Sequence, residues 1–468
     1  MSKFKPTRGA VLESGDVPST RGRSRGASAA PLRTSIVGLP VETKASASAP
    51  IDIPENANPA RRLAFKFTLL FLYFRFSYVH EFVSSSIHVD THILVILGVI
   101  CYLAWFVSGG ILAAYEERLA WIWTGFAAWM LLATVGSTWR GGSLPLFLGW
   151  IRTIFPLLLL IPAVVTSVED IKKIVNTMGI AGTTTVLFGL VHRDFAGGRM
   201  DIATDNSSIQ DPNDFAAHLL MLLPTIAYFM FAKGRPLALK VFGAGIIGAA
   251  LLEIMSTGSR GGFVALIITV VFVILTGSAR LRAALLIAIP TLGLMALPFV
   301  PQQSVQRLKS LFISGDASES AAESSAARRA LLIESLRVTG RHPLLGVGPG
   351  MFADYQAGMA AEVRQKGMWH ETHNGYTQIS SETGIPALLL YLYAVVITFK
   401  LLKRASKVDD PDLPGIARTL TTMAVAFSAT LMFLAQGFRF TMLVVGAMAI
   451  AIDQVIRRWH ITSRTVDS

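Results

Sequence analysis

The 468-residue chain has one cysteine, and only 15% of its residues are charged. A single thiol, Cys101, excludes an internal disulfide framework. Scarce charge, together with 52% hydrophobic residues and a mean hydropathy of +0.53, excludes the usual composition of a soluble domain. Ten-residue segments of alternating polarity are also missing, which argues against a transmembrane β-barrel. The N-terminus lacks the short apolar core and small-residue cleavage site of a signal peptide, so the first sixty residues are expected to stay attached. No convincing repeat relates the two halves of the chain, a feature that transporters commonly show.

Long apolar runs are what the chain has in abundance. Stretches such as "HILVILGVICYLAWFVSGGILAA" and "FVALIITVVFVILTG" approach the ~20 residues that cross a hydrocarbon layer of roughly 30 Å as a helix. About twelve candidate spans can be read: near 62–79, 92–113, 119–137, 144–166, 171–191, 214–232, 237–255, 261–277, 281–301, 385–402, 416–436 and 438–456. The expectation is an all-α integral membrane protein. Residues 1–60, rich in Ser, Ala, Pro, Gly and Arg, cannot bury enough apolar surface to fold and read as a disordered tail, either solvated or resting on anionic headgroups. The net charge of +12 is read as membrane-facing, and no nucleic-acid partner is expected.

Basic residues in short connections mark the cytoplasmic face. With the tail inside, every second connection should be basic, as "YEERLA", "VEDIKK", "AKGRPLALK", "SARLR", "KLLKRASKVDD" and "RRWH" are. This places both termini in the cytoplasm. It divides the chain into a tail (1–60), nine spans (61–301), one large outer loop (302–384), three spans (385–456) and a cytoplasmic end (457–468).

A loop of that length usually carries function. Within it, "SAARRALLIESLRV" places apolar residues at helical intervals with arginines opposite, so it predicts an amphipathic helix. "TGRHPLLGVGPG" follows with alternating glycines. No strand precedes it and no Lys-Ser/Thr ends it, so a nucleotide loop is rejected in favour of tight turns.

Arginines outside the cytoplasmic face need individual explanation. Arg140, Arg193, Arg199, Arg260, Arg328, Arg329, Arg337 and Arg341 fall on the outer side, and Arg152 falls inside the fourth span. Each either snorkels to lipid phosphates or faces a polar cavity, where several converging guanidinium forks suit a diphosphate. Arg260, in "MSTGSRGGFVAL", sits among small residues that let a ligand approach. His218, inside a span, either packs helices or lines the cavity. His370 and His373, just before a span, either act as a base near neutral pH or join an interfacial belt with Trp369 and Tyr376.

"RHPLLGVGPGMF" followed by "HNGYTQISSETGIPALLLYL" resembles the C-terminal half of the bacterial O-antigen ligase and O-antigen polymerase superfamily, the Wzy/WaaL-like membrane proteins. "STGSRGGFVAL" and "DPNDFAAHLLMLLP" are similar to two further signatures of that superfamily, and the set covers roughly residues 205–400. The resemblance implies a glycosyltransferase-C-like bundle under one large periplasmic loop in the bacterial inner membrane. It implies a donor glycan on undecaprenyl pyrophosphate and an acceptor hydroxyl on another glycan or on lipid A core. His373 matches the family's essential histidine, and His373, Asn374 and Gly384 carry the ligase-type spacing. Arg328 matches its loop arginine and Arg260 the arginine of its Ser-Arg-Gly signature. Arg329, Arg337 and Arg152 have no clean match and are candidates for donor binding on charge alone. The only Asp-x-Asp, in "VDDPDLP", falls on the cytoplasmic side, so no metal cofactor is expected. Ligase is preferred over polymerase, and a transporter of lipid-linked sugars is the alternative from another class.

Overall fold

The computed structural model describes residues 58–466 apart from 109, 111, 193, 197, 203–207, 210, 312–318 and 363–370. The expected N-terminal tail, Arg193, Trp369 and His370 therefore lie outside the described residues. Helices follow the apolar runs: α1 (Pro59–Ser77), α2 (Val79–Ile87), α3 (Ile93–Ser108), α4 (Arg118–Val135), α5 (Arg140–Thr153), α6 (Phe155–Val164), α7 (Val168–Val191), α8 (Pro212–Phe231), α9 (Leu237–Ser256), α10 (Arg260–Thr276) and α11 (Ala279–Ala296). Six more complete the chain: α12 (Gln302–Lys309), α13 (Glu319–Arg341), α14 (Phe352–Glu362), α15 (Gly375–Ala405), α16 (Leu413–Thr430) and α17 (Thr441–Val466). A small antiparallel hairpin, β1 (Asp194–Ala196) and β2 (Arg199–Asp201), joins α7 to α8.

Each of the twelve expected spans contains helix. Among the described residues, seven segments are long and apolar enough to cross a membrane: α4, α5 with α6, α7, α8, α9, α11 and α15. Helices α3 and α10 are apolar but shorter. In α1, Arg61, Arg62, Lys66 and Arg75 interrupt the apolar run.

Local chemistry explains the ends and breaks. The Asp211 carboxylate caps α8 by accepting from the backbone N–H of Asn213 at 2.7 Å and Asp214 at 2.8 Å, with Pro212 preset for the first turn. The span expected at 144–166 divides at Ile154. Pro156 has no N–H to offer the carbonyl of Arg152 four residues back, and that carbonyl accepts instead from the Tyr102 hydroxyl at 3.1 Å.

Helix α17 is the centre of the bundle, buried on all sides from Thr441 to Val455 and packed by α4, α6, α7, α15 and α16. It also runs on to Val466, through the segment read as a C-terminal tail. Helix α11 is its opposite: apolar, yet with no buried residue. Exposed Leu286, Ile287 and Leu294 there, with Val95 and Phe106 on α3, leave an apolar outer surface suited to lipid tails.

The segment 302–384, expected as a loop, is largely helical. It contains α12, α13, α14 and the first turns of α15. The expected helix is present as α13, but its buried face is Leu331, Ser335 and Val338, while Leu332, Ile333 and Leu336 are exposed along with Arg329 and Arg337.

Candidate functional site

The polar run 372–386 opens α15, and most of its side chains are used to hold that helix in place. Asn374 caps it, its Oδ1 accepting from the N–H of Tyr376 at 3.0 Å and of Thr377 at 3.1 Å. The same amide donates through Nδ2 to the Met432 carbonyl at 3.1 Å. Gly375 N donates to Leu431 O at 2.7 Å, Gln378 Oε1 accepts from Gly437 N at 3.0 Å, and the Tyr376 hydroxyl donates to Ser428 O at 2.9 Å. The start of α15 is thereby stapled to the segment joining α16 to α17. Asn374, expected to bind substrate, is placed where its amide caps α15 and braces this lip.

His373 stands at the tip of the lip. It is half-buried with φ at 50°, a left-handed conformation that costs a non-glycine residue on the order of 1–3 kcal/mol. The Thr372 hydroxyl, donating to Asn374 O at 3.0 Å, closes the turn beneath it.

Eleven residues after His373, Gly384 breaks α15 with φ at 86°, and the glycine turn after α13 fills the break. Val347 N donates to Ser381 O and Gly348 N to Glu382 O, both at 2.9 Å, and Ile385 N donates to Pro343 O at 2.8 Å. The buried Glu382 carboxylate accepts from Gly350 N at 2.7 Å. Gly348 has φ at 111°, and a Cβ there would collide with the Ser137 hydroxyl. The alternating glycines and the Glu-Thr-Gly-Ile-Pro run are thus the two halves of one joint, which fixes α13 against α15.

That joint sets Arg328 on α13 over the N-termini of α8 and α10. Arg328 lines a tight crevice, closed to a water-sized molecule in this conformation, with Asn213, Ser259, Gly261, Gly262 and Phe433. Gly261 leaves room for Phe433, whose Cβ would stand 2.6 Å from an added methyl group. Other guanidinium groups gather here. Arg199 donates to Thr257 O at 2.7 Å and to Asn213 Oδ1 at 3.0 Å. Arg260 lies within electrostatic reach of Arg307 and Arg328. Burial, and then repulsion from Arg307, hold Arg199 down to about 10, with Asp211 opposing. Burial also holds Arg328 below the ordinary arginine value, again with Asp211 opposing and Arg307 reinforcing.

A second hollow of about 290 Å³, including its mouth, borders the same α16–α17 segment and is lined by Tyr78, Ser208, Asp214, His218, Gln436 and Arg439. Asp214 accepts from Gln436 Nε2 at 2.7 Å and pairs with Arg439 at 3.6 Å. Glu371 opens to solvent on one side. Close packing and the neighbouring Asp214 nevertheless push its carboxyl above the usual carboxylate range, against the pull of Arg439. His218 is a packing residue, its Nε2 2.8 Å from Phe76 O and its ring against Tyr78.

The expected site is therefore assembled in part. Arg260 and Arg328 come together, and His373 directly precedes the residues that staple α15 to the α16–α17 segment. Arg152, Arg329 and Arg337 are not brought in. The Arg152 guanidinium turns back to Leu148 O at 2.9 Å, Arg337 pairs with Glu334 at 3.1 Å, and all three are exposed. Arg307, Asp211, Asp214, Glu371 and Arg439 belong to the assembly without having been read from the sequence. The only signal for two of them was the "DPND" run, whose carboxylates could be a helix cap or a site and prove to be near both.

A helical bundle with an apolar outer surface, and with polar and cationic groups gathered at the lip of one end, defines a multi-pass membrane protein. The sequence family described as O-antigen ligase, Wzy_C, matches residues 244–392, which carry Arg260, Arg328 and His373. That match, over about a third of the chain, supports a place in the O-antigen ligase and polymerase superfamily, whose members are glycosyltransferase-like enzymes that act on lipid-linked glycans. No curated protein matches it.

Proposed function

We propose that the protein transfers a glycan from undecaprenyl pyrophosphate to an acceptor hydroxyl, as an O-antigen ligase. His373 takes the proton from the acceptor hydroxyl, whose oxygen attacks the anomeric carbon. The bond from that carbon to the pyrophosphate oxygen breaks, and undecaprenyl pyrophosphate leaves with the electron pair. Arg328 and Arg260 hold the diphosphate and stabilise the charge that grows on it. Attack in line with the leaving group inverts the anomeric carbon, and no metal takes part. In this reading the His373 end faces the periplasm, the basic connections and both termini face the cytoplasm, and the membrane is the bacterial inner membrane.

The observation that supports the proposal is a shared anchor: the neighbours of His373, Asn374 and Tyr376, are bound to the segment 428–437, and Thr430, Phe433 and Leu434 of that segment line the crevice at Arg328. In this reading the segment holds a base and a diphosphate clamp in fixed relation. The spacing of His373, Asn374 and Gly384 favours ligase over polymerase. The decisive experiment replaces His373 with Ala in a strain lacking the chromosomal copy. Transfer should stop while the protein still inserts and accumulates, and long unlinked polymer on its carrier should build up. Single unpolymerised repeats in its place establish the polymerase reading, and undiminished transfer removes His373 from the mechanism. Chelation of divalent metal should leave transfer by the purified protein unchanged; inhibition reversed by added metal contradicts the metal-free step.

A further inference from the structure

At the opposite end of the bundle, roughly 35–40 Å along α15 from His373 by helical rise, lies a hollow with room for about 540 Å³ of solvent. It opens where α4 begins, between α15 and the last turns of α17. Arg118, Lys400, Arg404 and Arg457 line it, with Glu116 and Glu117 as the only carboxylates in the lining. Arg457 is engaged, since it pairs with Glu117 and donates to Asp453 at 2.6 Å. Arg404 also lies in electrostatic reach of Asp453. Arg118 and Lys400 are exposed and have no ion-pair partner among the described residues. The hollow is cationic beyond what its own carboxylates balance.

Its remaining wall is apolar and continues out of it. Tyr393, Ile397 and Leu401 line the hollow, and Leu389, Leu392 and Val396 carry the same face of α15 towards the middle of the bundle, with Leu389 60% exposed. Residues 389, 393, 396, 400 and 404 fall at three- and four-residue intervals, so a single helical stripe passes from hydrocarbon to cation. A free phosphate would use the cations and leave the apolar stripe unoccupied. A molecule with an anionic head and an aliphatic tail uses both.

We propose that this hollow binds an anionic phospholipid, its phosphate held by Arg118, Lys400 and Arg404 and one acyl chain lying along the Leu389–Ile397 face of α15. The site is separate from the transfer end and does not depend on the reading of His373.

The test uses the full chain purified in detergent, presented with equal amounts of palmitoyl-oleoyl phosphatidylglycerol and phosphatidylcholine, with retained lipid counted by native mass spectrometry. Phosphatidylglycerol should be retained roughly ten-fold over phosphatidylcholine. The double substitution Lys400→Gln and Arg404→Gln should bring that preference close to one, and Arg118→Gln should lower it. Lys403→Gln, exposed on the same turn but outside the hollow, should leave it unchanged. Soluble glycerol phosphate should not displace the lipid. Equal retention of the two lipids, a preference that survives the double substitution, an equal loss in Lys403→Gln, or displacement by glycerol phosphate each overturns the proposal.

Discussion

Replacing Arg328 with lysine keeps the charge at the crevice and removes the fork. Arg328 is half-buried between the N-termini of α8 and α10, with Asn213 and Ser259 beside it. Its burial reduces its hydration and holds it below the ordinary arginine value. A guanidinium there can give two parallel hydrogen bonds to neighbouring phosphate oxygens, whereas an ammonium gives one point contact. Losing one charge-assisted hydrogen bond costs about 1.5–3 kcal/mol, which is roughly a 10- to 150-fold weakening of donor use. The assay is glycan transfer by purified protein across a range of donor concentrations, with thermal melting measured in parallel to confirm folding. Arg329→Lys supplies the control, because Arg329 follows directly on α13 and is exposed. If Arg328→Lys uses donor as well as the parent protein, or if Arg329→Lys is impaired to the same degree, the fork is not what binds the diphosphate.

Three further outcomes are expected. Glu382→Ala leaves the Gly350 N–H without its acceptor and should destabilise the fold by about 1–3 kcal/mol in chemical denaturation. Glu382→Gln keeps an acceptor oxygen and should lose less; equal losses would deny the hydrogen bond its role. Gly384→Ala places a Cβ against the Leu344 carbonyl at a φ of 86° and should lower the melting temperature and loosen the 342–350 turn to proteolysis. Melting unchanged from the parent would show that the break in α15 is not set by this glycine. Arg199, held down to about 10, stays charged at neutral pH and discharges as pH climbs through that value. Because its folded value is depressed below the unfolded one, its contribution to stability rises with pH there, while affinity for an anionic donor falls. Donor affinity measured from about pH 8 to pH 11 should therefore decline at the top of the range, less so in Arg199→Gln; identical profiles refute a part for Arg199 in donor binding.

The helices were legible because apolar runs of span length leave the chain little choice, and even the break at Ile154 follows from Pro156. His373, Asn374 and Gly384 were singled out in the sequence, but the division of labour along 372–386 was not legible. Asn374, Gln378 and Glu382 look like ligand-binding groups in the sequence, and each is committed to backbone atoms of segments far away in the chain. Arg307 and Arg439 were invisible for the converse reason. Nothing local distinguishes them from Arg329 or Arg337, and only the packing of α12 and α17 brings them to the same end as Arg260.

That gathering is itself a physical argument for an anionic ligand. Arg307 and Arg328 both lie within electrostatic reach of Arg199 and Arg260, and Arg307 of Arg328, with Asp211 opposing at Arg199 and Arg328 and Asp201 at Arg199. In a fold selected for stability alone, such like-charged, partly desolvated groups would be spread apart or matched one for one. Here Asp211 is also spent on capping α8 through the N–H groups of Asn213 and Asp214, so its charge is shared with a helix terminus that already favours anions. The cluster therefore concentrates positive charge at a helix end, and a diphosphate drawn into it would relieve repulsion at the same moment as it gained hydrogen bonds. In the proposed transfer, the repulsion relieved there would count most as the leaving group develops its charge, which is where a glycan-transfer step needs it.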